Sequence, residues 1–226
     1  MATRRSGTHD TSRPKTDADA AALSRERIVA TAIAILDAHG VAGLTMRGLA
    51  DRLGSGVMSL YWHVPKKEDV FDLALDAVLA YRVPADPPAP ADWRDEAAHV
   101  LEDWRASMLR HPWSAVLLPR RALGASVLTR LEILGATLSR AGVRDADLNA
   151  AIWSLWNYVM GATITRASFE MSNDTGTSPA QRLARLGENH PTIERSGLLG
   201  DSDWDGAFRR GLGYLLDGLD PARARR

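Results

Sequence analysis

The stretch TMRGLADRLGSGVMSLYWHVPKK, residues 45–67, decides the fold of the first part of this chain. Apolar residues recur at three- and four-residue spacings on both sides of the glycine-containing turn at 54–56. This pattern predicts two short helices, at about 45–52 and 57–63. Pro65 ends the second helix, because the residue before a proline disfavours helical backbone angles. Two short helices joined by such a turn match the helix-turn-helix plan, in which the second helix lies in the major groove of DNA.

Longer helices are predicted on either side of this pair. Ser24 is an N-cap candidate for the first, and Gly40 stands where a helix-ending glycine belongs. The inner face of this first helix is expected to carry Ile28, Ala32, Ile35, Leu36 and His39. The helix after the pair is predicted at about 67–82, and two acidic residues in its first turn suit the positive end of the helix dipole. Its inner face is expected to carry Val70, Phe71, Ala74, Leu75, Val78 and Leu79.

The rest of the chain also has helical periodicity. Beyond the proline-rich stretch at 83–92, helices are predicted at about 92–110, 125–141, 145–171, 179–187 and 203–219, and no segment alternates like a strand. The predicted fold class is all-α. We expect a disordered tail at 1–22, a three-helix helix-turn-helix domain at 23–67, a connecting helix at 68–82 and a larger helical domain at 83–226.

The composition excludes several kinds of protein. Apolar residues make up 45% of the 226 and charged residues 25%, which is ordinary for a globular protein, and the formal net charge is zero. Any nucleic-acid signal is therefore local: residues 24–67 hold six basic and three acidic side chains, a balance of 6 − 3 = +3. The absence of cysteine excludes disulfides and thiolate chemistry. A cytoplasmic location is expected, because no run suits a membrane span and the N-terminus lacks the apolar core of a signal peptide.

The second short helix carries side chains that suit base edges. Tyr61 combines a hydroxyl for phosphate with a ring edge for a thymine methyl, and Ser59 can bond to base edges. Val57 and Met58 offer apolar contacts only, which are best suited to thymine methyls. In the helix before it, Arg47 has the reach for a guanine edge or a phosphate.

Several neighbouring side chains have a structural interpretation as well. Lys66 and Lys67 could converge with free backbone N–H groups on one phosphate, or be ordinary solvated charges. Trp62 could plug the gap between this helix and the next, His63 could cap its helix through the ring, and Val57 could belong to the core. Helix-turn-helix periodicity alone is a weak signal, because many helical proteins show it.

Tryptophan is concentrated in the second part of the chain, where six of the seven lie beyond residue 82. Stripes of aromatic residues and methionine at helical spacing are typical of a core or a dimer interface. The alternative is a mostly apolar pocket with a few polar groups, suited to a flat hydrophobic ligand. The pocket candidates are Trp104, Met108, Trp113, Trp153, Asn157, Met160 and Arg166.

An enzyme would need chemistry that the sequence does not display. Asp95, His99 and Glu102 or Asp103 fall on one helical face, a possible metal or acid–base group, but no second histidine follows at helical spacing. Neither a glycine-rich phosphate loop nor a nucleophile elbow is present. We therefore expect no catalysis, no cofactor and no metal site. The alternatives are a small-molecule-binding helical protein or enzyme whose helix-turn-helix is not used for DNA, and an interaction module that uses it for protein contacts.

The block at 27–75 resembles the DNA-binding domain of the tetracycline-repressor (TetR) family of bacterial transcriptional regulators. The matching pieces are LDAHG (36–40), GLTMRGLADRLG (43–54) and LYWHVPKKEDV (60–70), together with their spacing. Weaker similarity covers the second part, including AFRRGLGYLLDGL at 207–219. The resemblance implies a homodimer on palindromic operator DNA, and a C-terminal helical domain for dimerisation and for a small-molecule inducer. Repression is the family default.

The resemblance also implies roles for individual residues. By position, the base-contacting residues are Arg47, Val57, Met58, Ser59 and Tyr61, and the phosphate-contacting ones are Thr45, Tyr61, Trp62, His63 and Lys67. Polar residues are usual in part of this set, whereas Val57 and Met58 are apolar, so the operator is expected to differ from that of the tetracycline repressor. The helices at about 145–171 and 203–219 are expected to pair with their dimer mates as a four-helix bundle.

One departure from the family pattern concerns the inducer. The tetracycline repressor helps bind a drug-chelated magnesium ion with a histidine and an acid, and an ungapped alignment places Leu118 and Thr165 at those positions. Neither side chain replaces magnesium ligands well. We expect a hydrophobic or aromatic inducer rather than a tetracycline–magnesium complex.

Overall fold

A computed structural model of the chain describes residues 23–81, 92–173, 190–196 and 203–220. Every regular element in these ranges is helical and none is a strand, so the all-α prediction is confirmed. The predicted tail at 1–22, most of the proline-rich stretch and the helix predicted at 179–187 lie outside the described residues. Within them, none of the helices combines the length and the apolar character that crossing a membrane requires.

Four helices form the head, which we define as residues 23–81. They are α1 (Arg25–Gly43), α2 (Met46–Leu53), α3 (Val57–His63) and α4 (Lys67–Val78). Helix α1 packs against α2 and α4, and α2 packs against α3. The predicted N-cap of α1 is present, since Ser24 Oγ accepts a hydrogen bond from the N–H of Arg27 at 3.3 Å, and Thr45 Oγ1 likewise caps α2 by accepting one from the N–H of Gly48 at 3.0 Å. These caps satisfy backbone donors that a helix start leaves open.

The head core forms on the predicted inner faces. Its fully buried members include Ile28, Ala32, Leu36, Leu44, Leu49, Leu60 and Val64. The prediction for His39 is wrong, because its side chain is exposed. It lies just before Gly40, whose φ of 64° and ψ of −171° turn the chain out of helical geometry.

The connecting helix predicted at 68–82 ends early. Helix α4 stops at Val78, and Leu79 already has φ −96° and ψ 4°. The guanidinium of Arg130 donates hydrogen bonds to the carbonyls of Leu79 at 2.8 Å and Ala80 at 3.3 Å. Both carbonyls lie just beyond the last helical residue, and Pro84, four positions after Ala80, has no N–H with which to continue the helix, so the distant arginine satisfies carbonyls that follow the end of α4.

The remaining helices form the body, which we define as the described residues from 92 to 220. They are α5 (Trp93–Arg110), α6 (Pro112–Leu117), a 3-10 turn (Leu118–Arg120), α7 (Ala125–Arg140), α8 (Asp145–Asn173), α9 (Pro191–Ser196) and α10 (Trp204–Gly218). Helix α5 packs against α6, α7 and α8, and α10 packs against α8. The prediction missed α6 and α9, because six residues are too short to show helical periodicity.

Candidate nucleic-acid interface

The turn between α2 and α3 sets the direction of α3. Gly54 adopts the left-handed conformation, with φ 66° and ψ 29°. Its N–H donates to the carbonyl of Asp51 at 3.1 Å, and the N–H of Ser55 donates to that of Ala50 at 3.0 Å. Such bonds end a helix by satisfying its last carbonyls. The chain therefore leaves α2 in a defined direction, and α3 begins after Gly56.

Replacing Gly54 with alanine is expected to lower the free energy of unfolding by about 1–2 kcal/mol, because a Cβ disfavours left-handed backbone angles. The space around this position is open, so backbone strain alone would cause the loss. Gly56→Ser is the matched control, because Gly56 has φ −70° and serine is a good N-cap for α3. Urea unfolding measures both variants, and a Gly54→Ala chain as stable as wild type would contradict the argument.

Helix α3 is anchored through one side only. Leu60 is completely buried, and Val64 just beyond the helix is almost so, with its N–H donating to the carbonyl of Leu60 at 2.9 Å. The side chains on the other faces point outward: Met58 is 73% exposed, Tyr61 39% and Trp62 87%. Trp62 therefore does not plug a gap between helices, and that structural interpretation is wrong.

Two apolar residues at the start of α3 are placed differently. Val57 is half-buried and packs against the head core, as the structural interpretation predicts. Met58 carries no such contact with the core and is largely exposed. Of the pair, Met58 is thus the side chain that is free to meet another molecule.

All residues predicted to contact nucleic acid lie on α3 and on the neighbouring N-terminal ends of α2 and α4. Arg47, Ser59 and His63 are exposed, as is Thr45, whose hydroxyl oxygen also caps α2. Lys67 is half-buried, and its Nζ lies 5.3 Å from the centroid of the Phe71 ring.

The start of α4 offers fewer backbone donors than the sequence suggests. The N–H of Lys66 already donates to Asp69 Oδ2 at 3.1 Å. This N–H is therefore not available to a phosphate. The side chain of Lys66 is exposed and that of Lys67 half-buried.

The predicted pocket residues divide between several places in the body. Trp104, Met108 and Met160 are buried, and the ring of Trp104 meets that of Trp156 edge-on at 4.7 Å between centroids. Trp104 Nε1 is also buried, without a hydrogen-bond partner in the described part of the chain. A buried donor in this state is unfavourable by about 1–3 kcal/mol and is open to an acceptor.

The other four candidates are less buried or make other contacts. Trp113 donates its indole N–H to Asp37 of α1, at 2.7 Å from Oδ1, and so faces the head. Asn157 is exposed on α8, and Trp153 is half-exposed, with its ring centroid 5.9 Å from that of Trp156. Arg166 Nη1 binds Asp205 Oδ1 at 2.7 Å. The structure does not bring the seven candidates together, because spacing along a helix does not tell which of its faces is turned inward.

A second pairing holds Asp205, which lies in the first turn of α10. Arg105 Nη1 also binds Asp205 Oδ1 at 2.7 Å. The hydrogen bond from Arg105 is the main reason that the pKa of Asp205 is lowered, and the charge of Arg166 lowers it further. These ion pairs tie α5 and α8 to α10.

The residues of the possible acid–base group on α5 do not act on one another, because they have separate surroundings. Asp103 Oδ2 pairs with Arg130 Nη2 at 2.8 Å, and Glu102 Oε1 lies 3.4 Å from Arg209 Nε. Asp95 and His99 are exposed. A carboxylate committed to a guanidinium is a poor general base.

Sequence reasoning missed the contacts that join the head to the body. Arg121 donates from Nε and Nη2 to the two carboxylate oxygens of Asp72 in α4, at 2.6 and 2.7 Å, and these hydrogen bonds raise the pKa of Arg121. Asp76 Oδ1 accepts the N–H of Ser126 at 2.7 Å at the start of α7. The partners lie about fifty residues apart, so no local pattern signals them.

Arg130 is the most buried of these joining residues, with no exposed surface. Burial is the main influence on its pKa, which is lowered although Asp103 opposes the change. Its guanidinium also lies over the ring of Tyr81, 4.9 Å from the centroid. A signal for it did exist, because Arg130 stands between Val127 and Leu134 on the apolar face of α7.

An exposed second helix of a helix-turn-helix head, carried by a larger helical body, defines the class of DNA-binding transcriptional regulators. Two family models match the chain: one described as bacterial regulatory proteins, tetR family, over residues 28–74, and one described as tetracyclin repressor-like, C-terminal domain, over residues 86–222. The chain belongs to the TetR family of bacterial transcriptional regulators.

Known proteins of this class are similar along most of their length. An HTH-type transcriptional regulator of Saccharopolyspora erythraea is 37% identical over 201 residues, 87% of this chain and 84% of the relative. ActR of Streptomyces coelicolor, solved with actinorhodin, has a TM-score of 0.74 at 29% identity, covering 88% of this chain and 96% of ActR. BioQ, solved with its double-stranded DNA operator, has a TM-score of 0.64 at 28% identity, covering 88% and 99%.

Proposed function

We propose that the chain is a ligand-responsive repressor that binds a palindromic operator as a homodimer and is released by a small hydrophobic or aromatic inducer. The observation that carries this proposal is the outward face of α3, where Met58 and Trp62 are largely exposed beside the partly exposed Tyr61. Large apolar side chains on a short surface helix are best explained by a partner that covers them. The groove of DNA is that partner in a helix-turn-helix protein.

The DNA contacts divide by chemistry. Arg47, Ser59 and Tyr61 can hydrogen-bond to base edges, and Met58 can meet a thymine methyl, with Val57 beside it closer to the core. The proposed phosphate contacts are Thr45, Tyr61, Trp62, His63 and Lys67. Base contacts of this kind select a sequence, whereas the phosphate contacts position the head on any duplex.

The proposed dimer forms through α8 and α10. Within one chain these helices are joined by Tyr158, whose hydroxyl donates to the carbonyl of Phe208 at 2.9 Å and whose ring stacks on that of Phe208. Trp153, Ile164 and Tyr214 remain exposed on the same two helices. A symmetric pair of such apolar patches can bury itself, and a dimer suits a palindrome whose half-sites lie about 34 Å apart.

The inducer is proposed to bind beside Trp104. Its ring, the neighbouring Trp156 and the buried Met108 and Met160 offer apolar contact, and its indole N–H, which has no partner among the described residues, calls for an acceptor atom. A flat aromatic molecule that carries a carbonyl or similar oxygen meets both requirements. The solved complex of ActR with actinorhodin is consistent with an aromatic ligand in a related body.

Further parts of the proposal follow from this role. Residues 23–67 of the head are the DNA-binding domain, α4 is the connection, and the region from 83 to 226 is the ligand-binding and dimerisation domain. No catalysis is proposed, since the relatives are transcriptional regulators. A cytoplasmic location follows because a bacterial operator lies on the chromosome.

A gel-shift assay with the purified full-length chain tests the proposal. We expect salt-sensitive retardation of the DNA that flanks its own gene, at concentrations that leave unrelated duplexes unbound. Hydrophobic aromatic compounds that raise the melting temperature should release the shifted DNA. Equal affinity for unrelated DNA would contradict the proposed operator.

Lys67→Ala is expected to weaken binding to specific and unrelated DNA alike, and to reduce the slope of log affinity against log salt by about one for each head. The reason is that an ammonium on a phosphate releases a counterion but reads no base. Arg144→Ala, which removes an exposed cation from the start of α8, is the control and should change neither quantity. An unchanged salt slope for Lys67→Ala would remove this lysine from the contact.

A further inference from the structure

The body holds the head along α4 and, separately, at α1. Along α4, Arg121 binds Asp72 and Arg130 binds the carbonyl of Leu79. Contacts along α4 resist displacement of that helix, but they lie too close to its axis to resist a rotation of the head about it. A contact on another helix of the head lies farther from the axis and does resist such a rotation.

Asp37 of α1 makes such a contact. Its Oδ1 accepts the indole N–H of Trp113 at 2.7 Å and lies 2.8 Å from His111 Nδ1, which donates when that nitrogen carries the proton. Trp113 is only 4% exposed, so its N–H is withdrawn from water. Separating Asp37 from Trp113 would leave this donor without a partner, and the contact is therefore held firmly.

We propose that Asp37 fixes the swing of the head about α4 and thereby sets the half-site spacing that the dimer accepts. This inference rests on the proposed dimeric operator binding. In a symmetric dimer both heads rotate by the same amount about their own α4. Each rotation moves one α3 helix, so the change in the separation of the two α3 helices is the sum of the two movements. Adding or removing one base pair at the operator centre moves a half-site by about 3.4 Å and rotates it by about 35°. A head that cannot rotate about α4 cannot adjust to this change.

The test uses an operator that the full-length chain selects from a random duplex library. Its centre is then lengthened or shortened by one base pair, and the dissociation constants are measured for wild type and for Asp37→Ala/Trp113→Phe. This double variant removes acceptor and donor together and leaves no buried group unpaired, so it is expected to fold. Circular dichroism and urea unfolding verify that it does.

Wild type is expected to lose about tenfold or more in affinity at each altered spacing, and the double variant about threefold or less. Trp113→Phe alone should relax the spacing less than the double variant, because it leaves the contact between Asp37 and His111 Nδ1 in place. Glu132→Ala, which removes an exposed carboxylate from α7, is the control and should lose as much affinity at each altered spacing as wild type does.

Equal spacing discrimination by wild type and the folded double variant would overturn the inference. A different failure belongs to the proposed function: no palindrome is selected, or wild type shows no spacing preference. The two failures are distinguished because the second appears in wild type, before any variant is measured.

Discussion

Arg130→Met is expected to lower the free energy of unfolding by about 3 kcal/mol, because it breaks a buried, multiply bonded ion pair. The guanidinium has no exposed surface, and it binds Asp103 and the carbonyls of Leu79, Ala80 and Val100. Methionine fills part of the volume but donates no hydrogen bond, so these acceptors lose their partner. Urea unfolding followed by tryptophan fluorescence, at a fixed chain concentration, measures the loss.

Arg140→Met is the matched control for this change. Arg140 lies on the same helix and pairs with Glu96 at 2.6 Å, but its side chain is 60% exposed. Exposed ion pairs contribute about 0–1 kcal/mol, so a small change is expected. Similar losses in the two variants would show that burial of Arg130 does not matter. The result bears on function, because Arg130 attaches the chain just after α4, and with it the head, to the body.

Tyr61→Ala is expected to reduce operator affinity by about a hundredfold or more, because each of the two heads in the dimer loses a base contact. The free energy of unfolding should change little, since Tyr61 lies on the outward side of α3 and the buried Leu60 anchors the helix. Fluorescence anisotropy with a labelled operator measures the affinity. The melting temperature shows that the variant folds, and the shift caused by an inducer should persist.

Tyr61→Phe separates the two parts of this side chain. It keeps the ring and removes the hydroxyl, so it is expected to lose about tenfold or less. Operator binding by Tyr61→Ala at wild-type affinity would show that α3 does not lie in the groove. A loss that is equal on unrelated DNA would assign Tyr61 to phosphate contact alone.

The head was largely predictable from the sequence, because the features that define it are local. Ser24 and Thr45 cap the helices that follow them, and Gly54 ends α2, each through bonds to residues at most four positions away. The inner face of α1 was also predicted, except at His39. Such features depend on side-chain chemistry and short spacing, which a sequence displays directly.

The body was less predictable. Helix periodicity identified α5, α7, α8 and α10, but it did not tell which residues share a cavity. Trp113 was expected in a pocket and instead donates to Asp37, seventy-six positions earlier in the chain. The end of α4 was misplaced, and the two carbonyls that follow it bind Arg130 on another helix, a contact that no local pattern signals.

The sequence by itself determined that this chain is helical, that its first part is a helix-turn-helix, and which side chains stand at the start of α3. Only the tertiary structure decided that Trp62 points outward, that Val57 packs inward, and that the head is held at Asp37 as well as along α4. The physical reason is that caps, turns and periodicity act over a few residues. Burial and ion pairing depend on which distant surfaces meet, and these are known only once the helices have packed.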